Sequence, residues 1–311
     1  MKLIRLMVLG LAALFIALGC EKPDEGKKAE PTPATGEATA QAKKAEPSPA
    51  SGTKGVAPFE FAGAWEKDVN DGLVALMFGN EQVGDKAGPK PVVVFDFDNT
   101  LVKGDIGRAF FDFMVTHNKI KMTPEVQQAL PEDKRDEVKA AWEALEKLPA
   151  AKREGSREAK IYRKAMHKVY WSLCRDTDAE KCYPWQVRFY AGYTPAEIED
   201  IARRVMAAEL RRPMGSEQIR VDDKDKAPAI TSRGIRIYQE MKGLMEELKK
   251  RGFDIWVISA GPQWVVRGAA AANFPVKAEQ VLGMRTKLVD GKLSAEVESP
   301  PTFRMGKVEA I

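Results

Sequence analysis

Apolar residues along this chain change rhythm several times, and each rhythm predicts an element. Pro91-Val92-Val93-Val94-Phe95 is a short unbroken apolar run that ends in turn-formers, the pattern of a parallel strand covered on both faces. Further on, residues 234–250 carry a helical stripe, with Ile237, Met241, Leu244, Met245 and Leu248 on one face and Gly252 to stop it. That stripe feeds the second buried strand, Asp254-Ile255-Trp256-Val257-Ile258, so helix and strand together make half of an α/β unit. Residues 281–284 read as another strand. The runs through Leu288 and from Leu293 to Val297, on either side of Asp290-Gly291, read as a hairpin with a two-residue turn. Between the first strand and the stripe lies an insert, roughly 106–233, rich in Ala, Glu, Lys and Arg with helical spacings such as Val138, Trp142 and Leu145. Within it Thr194-Pro195-Ala196-Glu197 is a helix start, Thr194 as cap, Pro195 at the first position and Glu197 completing a capping box.

The amino-terminal part follows different rules. Residues 1–19 combine Lys2 and Arg5 with an apolar run from Leu6 to Leu18, the layout of a secretory leader that is too short and too bare of anchors for a spanning helix. The end of that segment, Ala17-Leu18-Gly19-Cys20, resembles a bacterial lipobox, which implies lipid modification at Cys20 and a membrane tether through it, with an ordinary cleaved signal or an uncleaved anchor as the alternatives. Glu21 rather than aspartate follows the cysteine, and the resemblance then implies the outer membrane before the inner one. From Glu21 to about Val56 the chain is Ala, Pro, Lys, Glu, Thr, Ser and Gly, which buries too little to offset its ordering entropy and reads as a flexible tether.

Composition narrows the classes that remain. The 311 residues are 44% hydrophobic and 30% charged, enough for a sizeable core. The formal charge of +4 falls to +2 once Lys2 and Arg5 leave with the leader, too weak a bias to predict a nucleic-acid partner. Three cysteines and two histidines fall in no zinc spacing, so any metal must be held by oxygen.

Candidate chemistry gathers at the strand ends. Binding residues in open α/β sheets lie just past the carboxyl ends of strands, which is where Asp96-Phe97-Asp98-Asn99-Thr100 stands. Both aspartates of that run are placed at the strand tip, where they can serve one site. One carboxylate is then free to attack while the other trades a proton. An Asx-type turn with no chemistry is the competing explanation of the same five residues.

Asp96-Phe97-Asp98-Asn99-Thr100 resembles motif I of the haloacid dehalogenase superfamily of phosphotransferases. Ser259-Ala260-Gly261, at the end of the second strand, resembles motif II, and Lys307, after Gly306, resembles motif III. The resemblance implies Asp96 as nucleophile, Asp98 as general acid and then base, and Ser259, Ala260 and Lys307 as phosphate-binding residues. It also implies Mg²⁺ held by Asp96 and by the Asp98 main-chain carbonyl. A phosphatase is favoured over a dehalogenase because the dehalogenase branch lacks the second acid. The implied fold is α/β, a Rossmann-like parallel sheet core with an all-helical C1-type cap inserted after motif I.

The domain map expected on this basis is a leader over 1–19, a tether over 20–57, a first core part over 58–105, a cap over 106–233 and a second core part over 234–311. The family pattern also has a fourth, acidic motif after the motif III helix. Beyond Lys307 the only acidic residue is Glu309, which falls where that helix should be. The expectation is a core incomplete at its carboxyl end, with the strand before Asp96 left as an unpaired apolar edge.

Two further features bear on the substrate. Residues 189–197 are similar to secreted relatives of phosphoserine and phosphorylcholine phosphatases. Phe189, Tyr190 and Tyr193 are therefore candidates to cage a quaternary ammonium, with packing inside the cap as the alternative. Asp105 stands where phosphoserine phosphatases carry a glutamate for the substrate amino group, with a surface turn at Lys103-Gly104-Asp105 as the alternative. Cys174 and Cys182 are a candidate disulfide in an exported chain, with two buried thiols as the alternative. The functional expectation is Mg²⁺-dependent hydrolysis of a small phosphate monoester such as phosphoserine or phosphocholine through an aspartyl phosphate. A non-catalytic binding lipoprotein and a phosphotransferase or phosphomutase are the alternatives.

Overall fold

A computed structural model describes residues 65–79, 90–174 and 179–310. The leader, Cys20 and the tether lie outside the described residues. Among the described residues no helix is long and apolar enough to cross a membrane.

The fold begins with helix α1 (Lys67–Gly79), which the apolar pattern did not predict, and strand β1 (Val92–Phe95). A short β2 (Val102–Lys103) leads into the insert, whose helices are α2 (Ile106–Thr116), α3 (Pro124–Gln128), α4 (Glu132–Glu146), α5 (Ala150–Arg153), α6 (Arg157–Cys174), α7 (Ala179–Val187) and α8 (Pro195–Arg211). The insert is not helical throughout, which corrects the all-helical expectation. It closes with an antiparallel hairpin, β3 (Gly215–Ile219) on β4 (Ala229–Arg233). A helical period cannot announce such a hairpin, because its strands carry polar and charged residues such as Glu217, Gln218 and Ser232.

The chain then returns through β5 (Arg236–Ile237), paired with β2, into α9 (Gln239–Lys250). The stripe thus starts its helix at Gln239, and Ile237 belongs to the short strand before it. Next come β6 (Asp254–Pro262), α10 (Gln263–Asn273), β7 (Val281–Met284), β8 (Thr286–Val289), β9 (Lys292–Val297) and α11 (Met305–Glu309). Strands β8 and β9 form the expected hairpin, with Asp290 and Gly291 both at positive φ (50° and 74°) as a two-residue primed turn requires.

The central sheet is parallel, in the order β1-β6-β7, with Phe95 beside Val257 and Val257 beside Val281. Among the described residues β1 is an edge strand, and Val92 and Val94 on it are exposed. Helix α9 and helix α10 cover the sheet through Leu244, Met245, Leu248, Val265, Val266 and Ala269.

The apolar core runs without a break from the sheet into the insert, through Phe97, Phe110, Phe111, Tyr162, Phe189 and Ile198. Helix α8 is seated directly on α10: a Cβ at Gly268 would meet the Glu199 carbonyl oxygen at 2.4 Å, so only glycine admits that approach. At least this part of the insert is therefore packed into the core. Cys174 and Cys182 are joined as a disulfide, Cα atoms 4.8 Å apart, tying the end of α6 to α7. The capping box at Thr194 is complete: its hydroxyl accepts from the Glu197 amide, and Glu197 accepts from the Thr194 amide at 2.7 Å.

Candidate active site

The backbone turns just past the end of β1. The Phe97 carbonyl accepts from the amides of Thr100, Leu101 and Val102, which folds the chain back within one residue of the strand. Asn99 takes positive φ (58°), a conformation asparagine tolerates, and its side chain accepts from the Gly104 amide at 3.2 Å. Phe97 between the aspartates is fully buried and anchors this turn in the core, edge-to-face with Phe274 at 5.9 Å.

Asp96 stays open to solvent at the strand tip. Its Oδ1 accepts from the Phe97 amide at 2.8 Å and lies 3.0 Å from the Lys307 ammonium. Lys307 reaches it from α11, whose approach depends on Gly306: a Cβ there would run into the Pro301 carbonyl oxygen. The segment before α11 is tied to β6, since the Thr302 hydroxyl donates to the Ser259 carbonyl at 2.8 Å.

Asp98 accepts from the Ile106 amide at 2.7 Å, at the first turn of α2. Burial pushes its pKa well above the ordinary carboxylate value. The Asp105 and Asp96 carboxylates add to the shift, against the Ile106 amide and Lys307. Ser259 is buried, its hydroxyl accepting from the Gly261 amide at 3.0 Å. A Cβ on Gly261 would sit 3.2 Å from Ser259 Oγ and 3.5 Å from Asp98 Oδ2, so motif II and the second aspartate border the same point. Ala260 lies between them in β6, half-buried.

The structure thus brings Asp96, Asp98, Ser259 and Lys307 to one edge of the sheet. Asp105 belongs there too, as the N-cap of α2: its Oδ1 accepts from the Arg108 amide at 2.8 Å. It caps a helix directly after the bend at Gly104. The aromatic run resolves to packing. Phe189 and Tyr190 are buried, and Tyr193 donates to the Lys119 carbonyl with the Lys121 ammonium 4.0 Å from its ring centre.

Other residues face the site and were not singled out from the sequence. The Tyr183 hydroxyl is pushed up by burial and by the Asp105, Asp96 and Asp98 carboxylates, which puts it within their field. Its ring stands 5.2 Å from that of Phe303, and the two border a cavity of about 390 Å³ with Met284, Pro301 and Met305. Arg108, in the first turn of α2, lies over Tyr170 and Trp171. The Asp105-x-x-Arg108 spacing at a helix start was the one available signal, because it puts a carboxylate and a guanidinium on one face.

No group of three or more His, Cys, Asp or Glu side chains converges on a metal position among the described residues. The Asp96 carboxylate at the strand tip is a hard oxygen donor of the kind magnesium takes. Magnesium characteristically completes its shell with waters and substrate phosphate.

Among the described residues a three-stranded parallel sheet flanked by helices, with two aspartates, a serine and a lysine meeting beyond its strand ends, defines an open α/β fold whose site lies at the carboxyl ends of its strands. The family model of haloacid dehalogenase-like hydrolases matches residues 93–311, and the chain belongs to that family. It is 25% identical over 248 residues to the phosphorylcholine phosphatase of Pseudomonas aeruginosa, a match covering 79% of this chain and 61% of that protein's length. Among solved structures it is similar to a conserved protein of unknown function from Anaerococcus prevotii DSM 20548. That match has a TM-score of 0.66 and 25% identity, covering 79% of this chain and 76% of the other.

Proposed function

We propose that this chain is a phosphatase acting on a small phosphate monoester, of the phosphoserine or phosphocholine kind, through an aspartyl phosphate. The observation that carries this reading is the Lys307 ammonium 3.0 Å from the exposed Asp96 carboxylate, with Asp98 and Ser259 close by. The phosphorylcholine phosphatase relative supports the substrate class.

In this reading the Asp96 carboxylate attacks phosphorus in line. Asp98, whose protonated form burial favours, gives its proton to the departing alkoxide. The resulting Asp98 carboxylate then draws a proton from water as that water attacks the aspartyl phosphate, which frees phosphate and restores both acids. Ser259 donates its hydroxyl proton to a phosphoryl oxygen. Lys307 offsets the negative charge that Asp96 and the phosphate bring together. Asp96 and the Asp98 carbonyl would hold Mg²⁺, which supplies charge neutralisation at the phosphoryl oxygens.

The test is turnover of phosphoserine, phosphocholine and a generic aryl phosphate with magnesium and with chelator. Turnover that needs magnesium is expected. A well-folded protein that hydrolyses none of the three would overturn the reading. We also propose export as a lipoprotein anchored through Cys20, on the periplasmic side and at the outer membrane. Its support is the leader pattern, and Cys20→Ser should abolish lipid labelling.

A further inference from the structure

The phosphatase reading leaves Arg108 without a role, although it stands beside the site. The Ile106 amide bonds Asp98, and Arg108 follows two residues later, only about 3 Å further along the axis of α2. Its own amide holds Asp105 Oδ1 at 2.8 Å. The guanidinium carbon lies 5.1 Å from the ring centre of Trp171 and 5.7 Å from that of Tyr170, and Nη1 donates to Ser232 Oγ at 3.1 Å. Its Nε is buried and has no acceptor among the described residues.

An aromatic pair beside a carboxylate is the surface on which a quaternary ammonium binds. Here the protein's own cation lies on it. A trimethylammonium brought to that face would meet a fixed like charge, while a carboxylate would meet a planar fork of donors already oriented by stacking. Discrimination then comes from repulsion of one substrate as well as attraction of the other.

We propose that Arg108 is the specificity-determining residue of this site, selecting phosphate esters whose alcohol carries a carboxylate and denying the Tyr170–Trp171 face to quaternary ammonium esters. The proposal rests on the phosphatase reading and chooses between its two substrate kinds.

The test separates binding from turnover. In an Asp96→Asn background with magnesium, calorimetry with O-phosphoserine and with phosphocholine should show phosphoserine binding tighter by on the order of 10- to 100-fold, the range for a charge-assisted hydrogen-bonded contact. Adding Arg108→Ala should erase or reverse that ratio. Adding Arg108→Lys, which keeps the charge and loses the fork, should leave an intermediate ratio and serves if the alanine variant does not fold. Phosphocholine binding as tightly as phosphoserine with Arg108 in place, no binding of either, or a ratio unchanged on substitution would overturn the proposal. Hydrolysis of an aryl phosphate by the wild-type protein, which involves neither carboxylate nor ammonium, tests the phosphatase reading by itself.

Discussion

Two aspartates of this protein, one half-buried and one buried, are driven in opposite directions. Asp98, behind the strand tip, has a pKa raised by burial and by the carboxylates of Asp105 and Asp96. Asp112, in the middle of α2, is buried, yet its carboxyl is held far below the ordinary range. Burial alone would raise it, and hydrogen bonds from His167 and Arg163 more than reverse that. Arg163 grips it with Nε at 2.8 Å and Nη2 at 2.9 Å, and His167 Nε2 is 2.7 Å away. Arg163 also reaches Glu217 on β3, which Arg212 bonds from the end of α8. The same side chain is pushed toward its protonated form where carboxylates and burial outweigh a nearby ammonium, and toward its charged form where Arg163 and His167 bond it. The difference is one of neighbours and not of depth.

The largest expected effect falls on the strand tip. Asp96→Asn should lower aryl phosphate turnover on the order of 10⁴-fold or more, since an amide is a poor nucleophile. The thermal midpoint should stay nearly unchanged, because Asp96 is exposed. Steady-state kinetics beside a melting curve checks both.

The anchor should respond the other way. Asp112→Asn removes the carboxylate that faces Arg163 and His167, and should cost on the order of 3 kcal/mol in urea unfolding. Aryl phosphate turnover per folded molecule should persist. A variant that keeps its stability and loses turnover would sink the contrast.

Acid sharpens the comparison further. A depressed carboxyl such as Asp112 contributes stability that is fully present above its ordinary value of 3.8 and is lost as pH falls below it. A raised one such as Asp98 contributes stability at low pH that is lost as pH rises above 3.8. Urea midpoints of the wild type should therefore fall steeply below about pH 4. Asp112→Asn should flatten that acid limb. The smallest effect belongs to a local feature: Thr194→Ala removes the α8 cap and should cost about 1 kcal/mol in the same assay.

The parts legible in the sequence were those governed by neighbours along the chain. The apolar run before Asp96, the strand ending at Ser259, the primed turn at Asp290-Gly291 and the capping box at Thr194 each follow from a few consecutive residues. Resemblance to the motifs of a known family likewise pointed to Asp96, Asp98, Ser259 and Lys307 before any distance was known. Arg108, Tyr170, Trp171 and Tyr183 were not legible as part of the site. Arg108 meets the two rings only because α2 and α6 lie side by side, and no local period records which helices pack together. For the same reason Phe189 and Tyr190, aromatic and close in sequence to a plausible ligand surface, turned out to be core.

The amino-acid sequence by itself determined the class of fold and the strand ends that carry the polar residues, because backbone turns and hydrophobic periods are set within a few residues, and its motifs resembled those of the family to which the chain belongs. Only the tertiary structure decided which carboxylate stands among cations and which among carboxylates, and that Lys307 reaches Asp96. It also decided that an arginine lies on the aromatic face beside the site. Those are contacts between residues far apart in the chain, and their energies depend on burial and on neighbours that exist only once the chain has folded.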